Sequence, residues 1–320
     1  MNTDQQITSP PVQWVEITED NSEQRLDNFL ITLLKGVPKS RIYRIVRKGE
    51  VRVNKGRVDV KYRLVIGDIV RIPPVRMPEV SEEGLPVSRG LADILQQNVL
   101  FEDDSILVVN KPSGFAVHGG SGIDNGIIEG FRKINPEQRF LELVHRLDRD
   151  TSGCLLIAKK RSALRSLHEQ FRKDTVTKSY LALLSGRWAR KKLVVNQPLQ
   201  KNVSKGGERM VVINQHGKES ETLFRRLQLF KDATLVEVSP KTGRTHQIRV
   251  HAAYLSHPIV GDERYGFDDI NKVFKNRGYK KMFLHAETLQ FQHPDTGMTL
   301  KISAPLPQQF IDYIKNEEQI

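Results

Sequence analysis

One cysteine, Cys154, stands in the 320 residues. It cannot close an internal disulfide, and alone it cannot supply a thiolate zinc cluster. Histidine does not fill the gap. Nine are present, but His246 and His251 lie five apart and no His-Glu-x-x-His occurs, so the ligand spacing of a catalytic zinc is missing. No metal site is expected, and zinc-dependent base chemistry has no ligands to run on. Nor does any uninterrupted apolar run approach the roughly 18 residues of a membrane span, and the opening MNTDQQITSPP lacks the basic and apolar regions of a signal peptide. The expectation is a soluble, cytoplasmic protein. No segment fits the phosphate loop ending in Gly-Lys-Ser/Thr, which leaves ATP or GTP hydrolysis unsupported. Gly120, Gly122 and Gly126 miss a dinucleotide fingerprint by one residue because position 125 is Asn, and read as a loop.

What is present in excess is positive charge. Fifty Lys and Arg against 38 Asp and Glu give +12 and a pI near 9.7, which points to a polyanionic partner. The distribution is uneven. Residues 24–76 hold 14 basic and four acidic side chains, a net +10, whereas residues 1–23 hold five acids and no base. A small, strongly basic module therefore precedes a larger, mildly basic body, with an acidic, partly disordered extension (1–23) in front.

Within the module, Leu26, Phe29, Leu30, Leu33 and Leu34 follow the i, i+3, i+4 rule of an amphipathic helix. A second helix is expected after Pro38, capped by Ser40, buried through Ile42, Ile45 and Val46, and ended by Gly49. Its other face carries Arg41, Arg44 and Lys48, spaced to follow a phosphate backbone, though a solvated surface has the same pattern. Val51 and Val53 flank Arg52, Asn54-Lys55-Gly56 turns the chain, and Leu64–Ile72 reads as a further strand. Arg25-Leu26-Asp27, the Ser40-Arg41 helix and Gly49-Glu50-Val51-Arg52-Val53-Asn54 resemble the S4 RNA-binding domain over residues 24–74. That resemblance implies RNA contacts from Arg41, Arg44, Lys48 and Arg52.

Pro73, Pro74, Pro78 and Pro86 with Ser81-Glu82-Glu83-Gly84 mark a linker over 75–98, with a short helix at Leu91–Leu95. Beyond it, Ile106–Val109, Cys154–Ala158, Tyr180–Leu184 and Thr234–Val238 read as strands. One helix places Leu164, Leu167 and Phe171 on a face, and another spans about His246 to Leu255. Strands outnumber helices without alternating with them, which predicts an α+β domain over 99–315.

In that domain the apolar run Leu141-Glu142-Leu143-Val144 breaks into His145-Arg146-Leu147-Asp148-Arg149-Asp150-Thr151-Ser152-Gly153 before the next strand. A polar loop anchored by two buried strands is a position where function concentrates. Taken alone, the pattern favours a salt-bridged turn whose aspartates cap backbone amides.

The string 145–153 resembles the signature of the ribosomal large-subunit branch of the pseudouridine synthases. Asn110-Lys111-Pro112-Ser113-Gly114, Gly243-Arg244-Thr245-His246-Gln247-Ile248-Arg249-Val250-His251, His257-Pro258-Ile259-Val260-Gly261-Asp262 and Leu284-His285-Ala286 agree with it. The resemblance implies a mixed, mostly antiparallel sheet and a monomer that acts on 23S ribosomal RNA or a large-subunit precursor, without a cofactor. It also implies roles for single residues: Asp148, not Asp150, as nucleophile, Arg249 as its basic partner, Tyr180 as the aromatic that stacks on the base or moves a proton, Leu284 beneath the uracil, and Arg146 as the residue that helps displace the target nucleotide.

Physical chemistry suits those roles. Moving uracil from an N1 to a C5 linkage can use a carboxylate that attacks or stabilises the anomeric carbon, or one that attacks C6 of the base, and one carboxylate suffices because the base returns. That carboxylate must stay ionised in a partly desolvated pocket. An arginine, always protonated, can hold it through two parallel hydrogen bonds. Two other readings stay open on sequence: a non-catalytic RNA-binding assembly factor, and an RNA glycosidase in which water captures the sugar. His118, His285 and His293 are given no chemistry.

Overall fold

The computed structural model describes residues 11–18, 21–34, 36–75, 89–119, 126–138, 140–203 and 209–317. Residues 1–10, 19 and 20 of the expected extension, 76–88 of the expected linker and the glycine cluster at 120–125 lie outside them. The chain divides into two compact units, Met1–Pro86 and Val87–Ile320.

The first unit contains β1 (Gln13–Glu16), α1 (Leu26–Leu33), α2 (Lys39–Arg47), β2 (Arg52–Val53) and β3 (Ile69–Ile72). Its sheet, ordered β1-β3-β2, is antiparallel. α1 buries Leu26, Phe29 and Leu30, and Leu34 follows it into the core, but Leu33 is 37% exposed, so the apolar stripe is narrower than its spacing predicts. α2 buries Ile42, Ile45 and Val46 and leaves Arg41, Arg44 and Lys48 exposed. Ser40 is not its cap. The helix opens at Lys39, and Pro38, whose ring fixes φ at −57°, occupies the cap position. The strand expected at Leu64–Ile72 begins only at Ile69. Before it, the Asp68 carboxylate accepts the Val65 N–H and Gly67 takes a positive φ, a local turn that competes with the sheet ladder.

The second unit runs α3 (Arg89–Gln97), β4 (Val99–Glu102), β5 (Ile106–Lys111), α4 (Ile127–Ile134), β6 (Glu142–Leu143), β7 (Ser152–Ala158), α5 (Arg161–Arg172), β8 (Thr177–Ser185), β9 (Lys192–Asn196), β10 (Leu199–Val203) and β11 (Arg209–Ile213). It continues with β12 (Glu221–Leu229), β13 (Ala233–Pro240), α6 (Gln247–Tyr254), α7 (Asp268–Asn276), β14 (Leu284–Gln292), β15 (Thr299–Ser303) and α8 (Gln308–Asn316). The expected strand Leu141–Val144 keeps only two residues, paired to β7.

A ten-stranded sheet is ordered β4-β5-β7-β14-β8-β13-β12-β9, with β15 on β14 and β6 on β7. This is the mixed, mostly antiparallel α+β arrangement expected. Every residue of β7 is buried, which explains its continuous apolar reading: the strand is covered on both faces. Leu155 and Ile157 pack with Phe131 of α4, and Leu156 and Ala158 with Leu167 of α5. Each such large side chain contributes about 1.5–3 kcal/mol on burial.

The pair β7–β14 is parallel, whereas the other strand pairs described are antiparallel. Its register sets His285 against Ser152 and Ala286 against Gly153. Gly153 has φ +106°, and a Cβ there would lie 2.2 Å from the Ala286 carbonyl oxygen, so only glycine permits this approach. Because the strands are parallel, the loop entering β7 and the first residue of β14 emerge at the same end of the sheet.

Candidate active site

The loop 145–151 is tied down from beneath by a lysine. Lys111, fully buried at the end of β5, donates from Nζ to the carbonyls of Pro112 (3.0 Å), Phe115 (2.8 Å) and Arg149 (2.7 Å). Three acceptors match the three hydrogens of an ammonium. Burial pulls its pKa down to about 7, against the pull of Asp150 and Asp148. Gly114 N–H also donates to Arg149 O, Ser113 Oγ to Asp150 O, and Thr151 N–H to Asp148 O. The Asp148 backbone is thereby fixed on both sides.

The Asp148 side chain, 18% exposed, accepts a hydrogen bond at Oδ2 from Arg249 Nη1 at 3.1 Å. Arg249 does not give it the two-pronged grip expected from sequence. That grip goes to Asp262, with Nε to Oδ2 at 2.7 Å and Nη2 to Oδ1 at 2.9 Å. Burial works against the Arg249 charge, but hydrogen bonds and charge from Asp262, and then Asp148, raise its pKa above the ordinary arginine value. Asp262 is likewise opposed by burial and yet held low by Arg249 and by the amides of Tyr265 and Arg264. The Tyr265 ring lies under the guanidinium, 5.1 Å from its carbon, a cation–π contact that closes its remaining side.

Arg249 reaches this position from α6, whose polar residues divide by face. Gln247 and His251, four apart, turn inward. Gln247 bonds Thr242, Thr222 and the Arg244 and Glu221 backbone, and His251 bonds Thr222, Ser220 and the Gln197 carbonyl. His246 and Arg249, three apart, face Asp148. His246 precedes the helix in a left-handed conformation, φ +54°, which is uncommon for a residue with a side chain and is a form of strain found at functional sites. Its Nδ1 meets Tyr265 Oη at 2.8 Å and its Nε2 lies 3.8 Å from Asp148 Oδ1. Burial lowers its pKa, an effect only partly offset by the Asp148 charge.

Asp148, Arg146, Tyr180, Arg249 and Leu284 line one small recess of about 120 Å³, and Asp148 is the one acid among its lining residues. Leu284, 3% exposed, gives an apolar surface. Tyr180 presents its ring from β8, and its hydroxyl has no hydrogen-bond partner among the described residues. Burial and then the Asp148 charge push its phenol pKa upward, which suits stacking better than taking up a proton. Arg146 is exposed at the rim and also lines a wider cleft of about 920 Å³ with Arg149, Asp150, Arg264, Lys280 and Lys281. Asp150 pairs with Arg149 on the exposed side of the loop. His285 and His293 are bonded to Ser152 and Asp103, and His118 to the Gly119 carbonyl.

Sequence reasoning missed Lys111, His246, Asp262, Tyr265 and Lys280–Lys281. His246 was accessible through its three-residue spacing from Arg249. No periodic signal links Asp262 to Arg249, because the chain turns between them.

A chemistry follows from the arrangement: one carboxylate with a fixed cation, an aromatic face and an apolar surface for a flat ring, and a basic cleft beside them. Comparison with known proteins agrees. Residues 105–254 match the RNA pseudouridylate synthase family and residues 24–70 the S4 domain. The chain is 56% identical over 301 residues, 94% of each chain, to "Ribosomal large subunit pseudouridine synthase C" of Yersinia pestis. It is 55% identical over 302 residues, 94% of this chain and 95% of the other, to the protein of that name in Escherichia coli strain K12. Among solved structures, "Human RNA Pseudouridylate Synthase Domain Containing 1" superposes with a TM-score of 0.58 at 28% identity, covering 70% of this chain and 88% of that one. The chain belongs to the ribosomal large subunit pseudouridine synthases, which are isomerases, and in it an S4 domain precedes the RNA pseudouridylate synthase domain.

Proposed function

We propose that this enzyme isomerises specific uridines of 23S ribosomal RNA, or of a large-subunit precursor, with Asp148 as the nucleophile. The observation that carries the reading is the 3.1 Å contact of Arg249 with Asp148 in a recess shared with Tyr180 and Leu284. The target uridine leaves its stack, at a cost of a few kcal/mol, and Arg146 at the rim helps displace it. The Asp148 carboxylate serves the bond change while the C1′–N1 bond breaks. The detached uracil stays between Tyr180 and Leu284, turns, and joins C1′ through C5. The C5 hydrogen is lost as a proton and N1 gains one, so the isomer balances with no co-reactant. Arg41, Arg44, Lys48 and Arg52 supply phosphate contacts from the first unit. The enzyme works as a cytoplasmic monomer without a nucleotide cofactor.

The test is release of tritium from 23S RNA labelled at uracil C5. Purified enzyme should release it with no added cofactor, and Asp148→Asn should not. Wild-type release by the asparagine variant would overturn the assignment. A non-catalytic assembly factor has little support, since such a protein has no use for a carboxylate held this way.

A further inference from the structure

The chain has two tryptophans, and they are placed in opposite ways. Trp188 is 4% exposed in the core of the second unit, whereas Trp14, on β1, is 57% exposed. A single exposed ring is ordinary on a protein surface; what singles this one out is the set of side chains that share its face.

Directly opposed residues of an antiparallel sheet point to the same face. The register sets Trp14 against Arg71, and Arg71 against Arg52, so one row crosses the sheet as aromatic, arginine, arginine. Val15, Val53, Val70 and Ile72 point the other way, into the core. On the outer face Ile69, 47% exposed, extends the apolar surface, and Lys55 closes the shallow cleft that Trp14, Asn54 and Ile69 line. Glu16, opposite Ile69, lies at the end of the face away from the arginines. Both arginines are held by one nitrogen: Arg71 Nη1 donates to the Glu50 carbonyl at 2.7 Å and Arg52 Nε to the Gly49 carbonyl at 3.2 Å. The S4 match, residues 24–70, includes neither Trp14 nor Arg71.

We propose that the outer face of this sheet is a stacking platform for an unpaired nucleotide of the RNA, with the base on Trp14 and its flanking phosphates on Arg71 and Arg52. The inference rests on the reading of the protein as an enzyme acting on RNA. A flat ring beside cations is the combination that binds single strands with little regard to sequence, and the +10 charge of residues 24–76 favours RNA over a protein surface as occupant.

The experiment uses the full chain and its own fluorescence. Saturation with a single-stranded oligouridylate should quench Trp14 and shield it from acrylamide, whereas an RNA duplex of equal length should bind without shielding it. Trp14→Phe, which removes the exposed signal but keeps a π face, should retain most of the affinity. Trp14→Leu, apolar without a π face, should lose about 5- to 100-fold, with an unchanged melting temperature because the residue is not in the core. The proposal is overturned if Trp14 stays open to acrylamide at saturation, if Trp14→Leu binds as tightly as wild type, or if shielding appears with rising protein concentration and no RNA. None of these readouts needs turnover, so a failed platform and a failed Asp148 assignment are told apart.

Discussion

Asp262 grips Arg249 through two hydrogen bonds, of 2.7 and 2.9 Å, in a corner where the Asp262 side chain has 0% and the Arg249 side chain 7% exposure. The rigid fork of the guanidinium is spent on this pair, and the remaining nitrogen is presented to Asp148. Asp262 thus acts on the reaction through another residue: it fixes the direction from which the cation meets the carboxylate.

Replacing Asp262 by Asn should therefore lower turnover without touching substrate. Breaking a buried pair costs about 3–5 kcal/mol, and a misaimed Arg249 costs on the order of 10²-fold in rate. Tritium release under saturating RNA and a urea melt measure the two effects. Full turnover in a destabilised protein would show that Asp262 serves folding alone.

Arg249→Lys should behave as a severe change despite keeping the charge. An ammonium cannot engage Asp262 twice and still reach Asp148. Turnover should drop by roughly 10²-fold or more while RNA affinity, measured by filter binding, stays near wild type. Recovery of most of the rate would mean that charge alone is enough.

Gly153→Ala tests the parallel junction. A methyl group 2.2 Å from the Ala286 oxygen, on a backbone with φ +106°, must part β7 from β14 or unfold them. A loss of more than about 2 kcal/mol in denaturant stability is expected, together with loss of activity because Asp148 and Leu284 flank that junction.

Lys111 gives a pH dependence whose sign follows from proton counting. The unfolded chain holds the lysine proton up to about pH 10.4, and the folded chain releases it near 7. Between these values the unfolded state binds more protons, so this group makes stability rise with pH, by at most about 1.4 kcal/mol per unit. Lys111→Met should flatten the rise and, by leaving three carbonyls without a donor, lower stability by about 3 kcal/mol. Urea midpoints of both proteins between about pH 7 and 9 decide it; an unaltered slope in the variant would assign the titration to another group.

Each alanine at Arg41, Arg44 or Lys48 should reduce the slope of log affinity against log salt by about 0.7–0.9, the signature of one phosphate contact. Filter binding of 23S RNA over a salt series measures it. An unchanged slope would return that face of α2 to the solvent.

Asp148, Tyr180 and Leu284, which line one recess, were named through the family resemblance; the pattern of residues 145–153 taken alone favoured a salt-bridged turn. Arg249 was legible, but not its grip, since a one-dimensional pattern cannot count how a guanidinium divides its donors between two acids. Lys111 reads as an ordinary surface lysine until the loop folds over it. The basic helix was visible from its three- and four-residue spacing. The row Trp14–Arg71–Arg52 was not, because it joins three strands, and β1 lies in the acidic segment taken as a partly disordered extension. β3 was overdrawn because the apolar but exposed Val65 and Ile66 of the preceding turn read like strand residues, and β6 because the buried Leu141 and Val144 on either side of it do.

The junction of β7 and β14 has a consequence in time. It joins Ser152 to His285, 133 positions apart, and contacts between such distant segments form late. The core of the first unit, from Ile17 to Val75, is complete within itself and leaves the ribosome first, as domains made earlier fold earlier. The nascent chain therefore carries a folded basic surface before it carries a finished pocket.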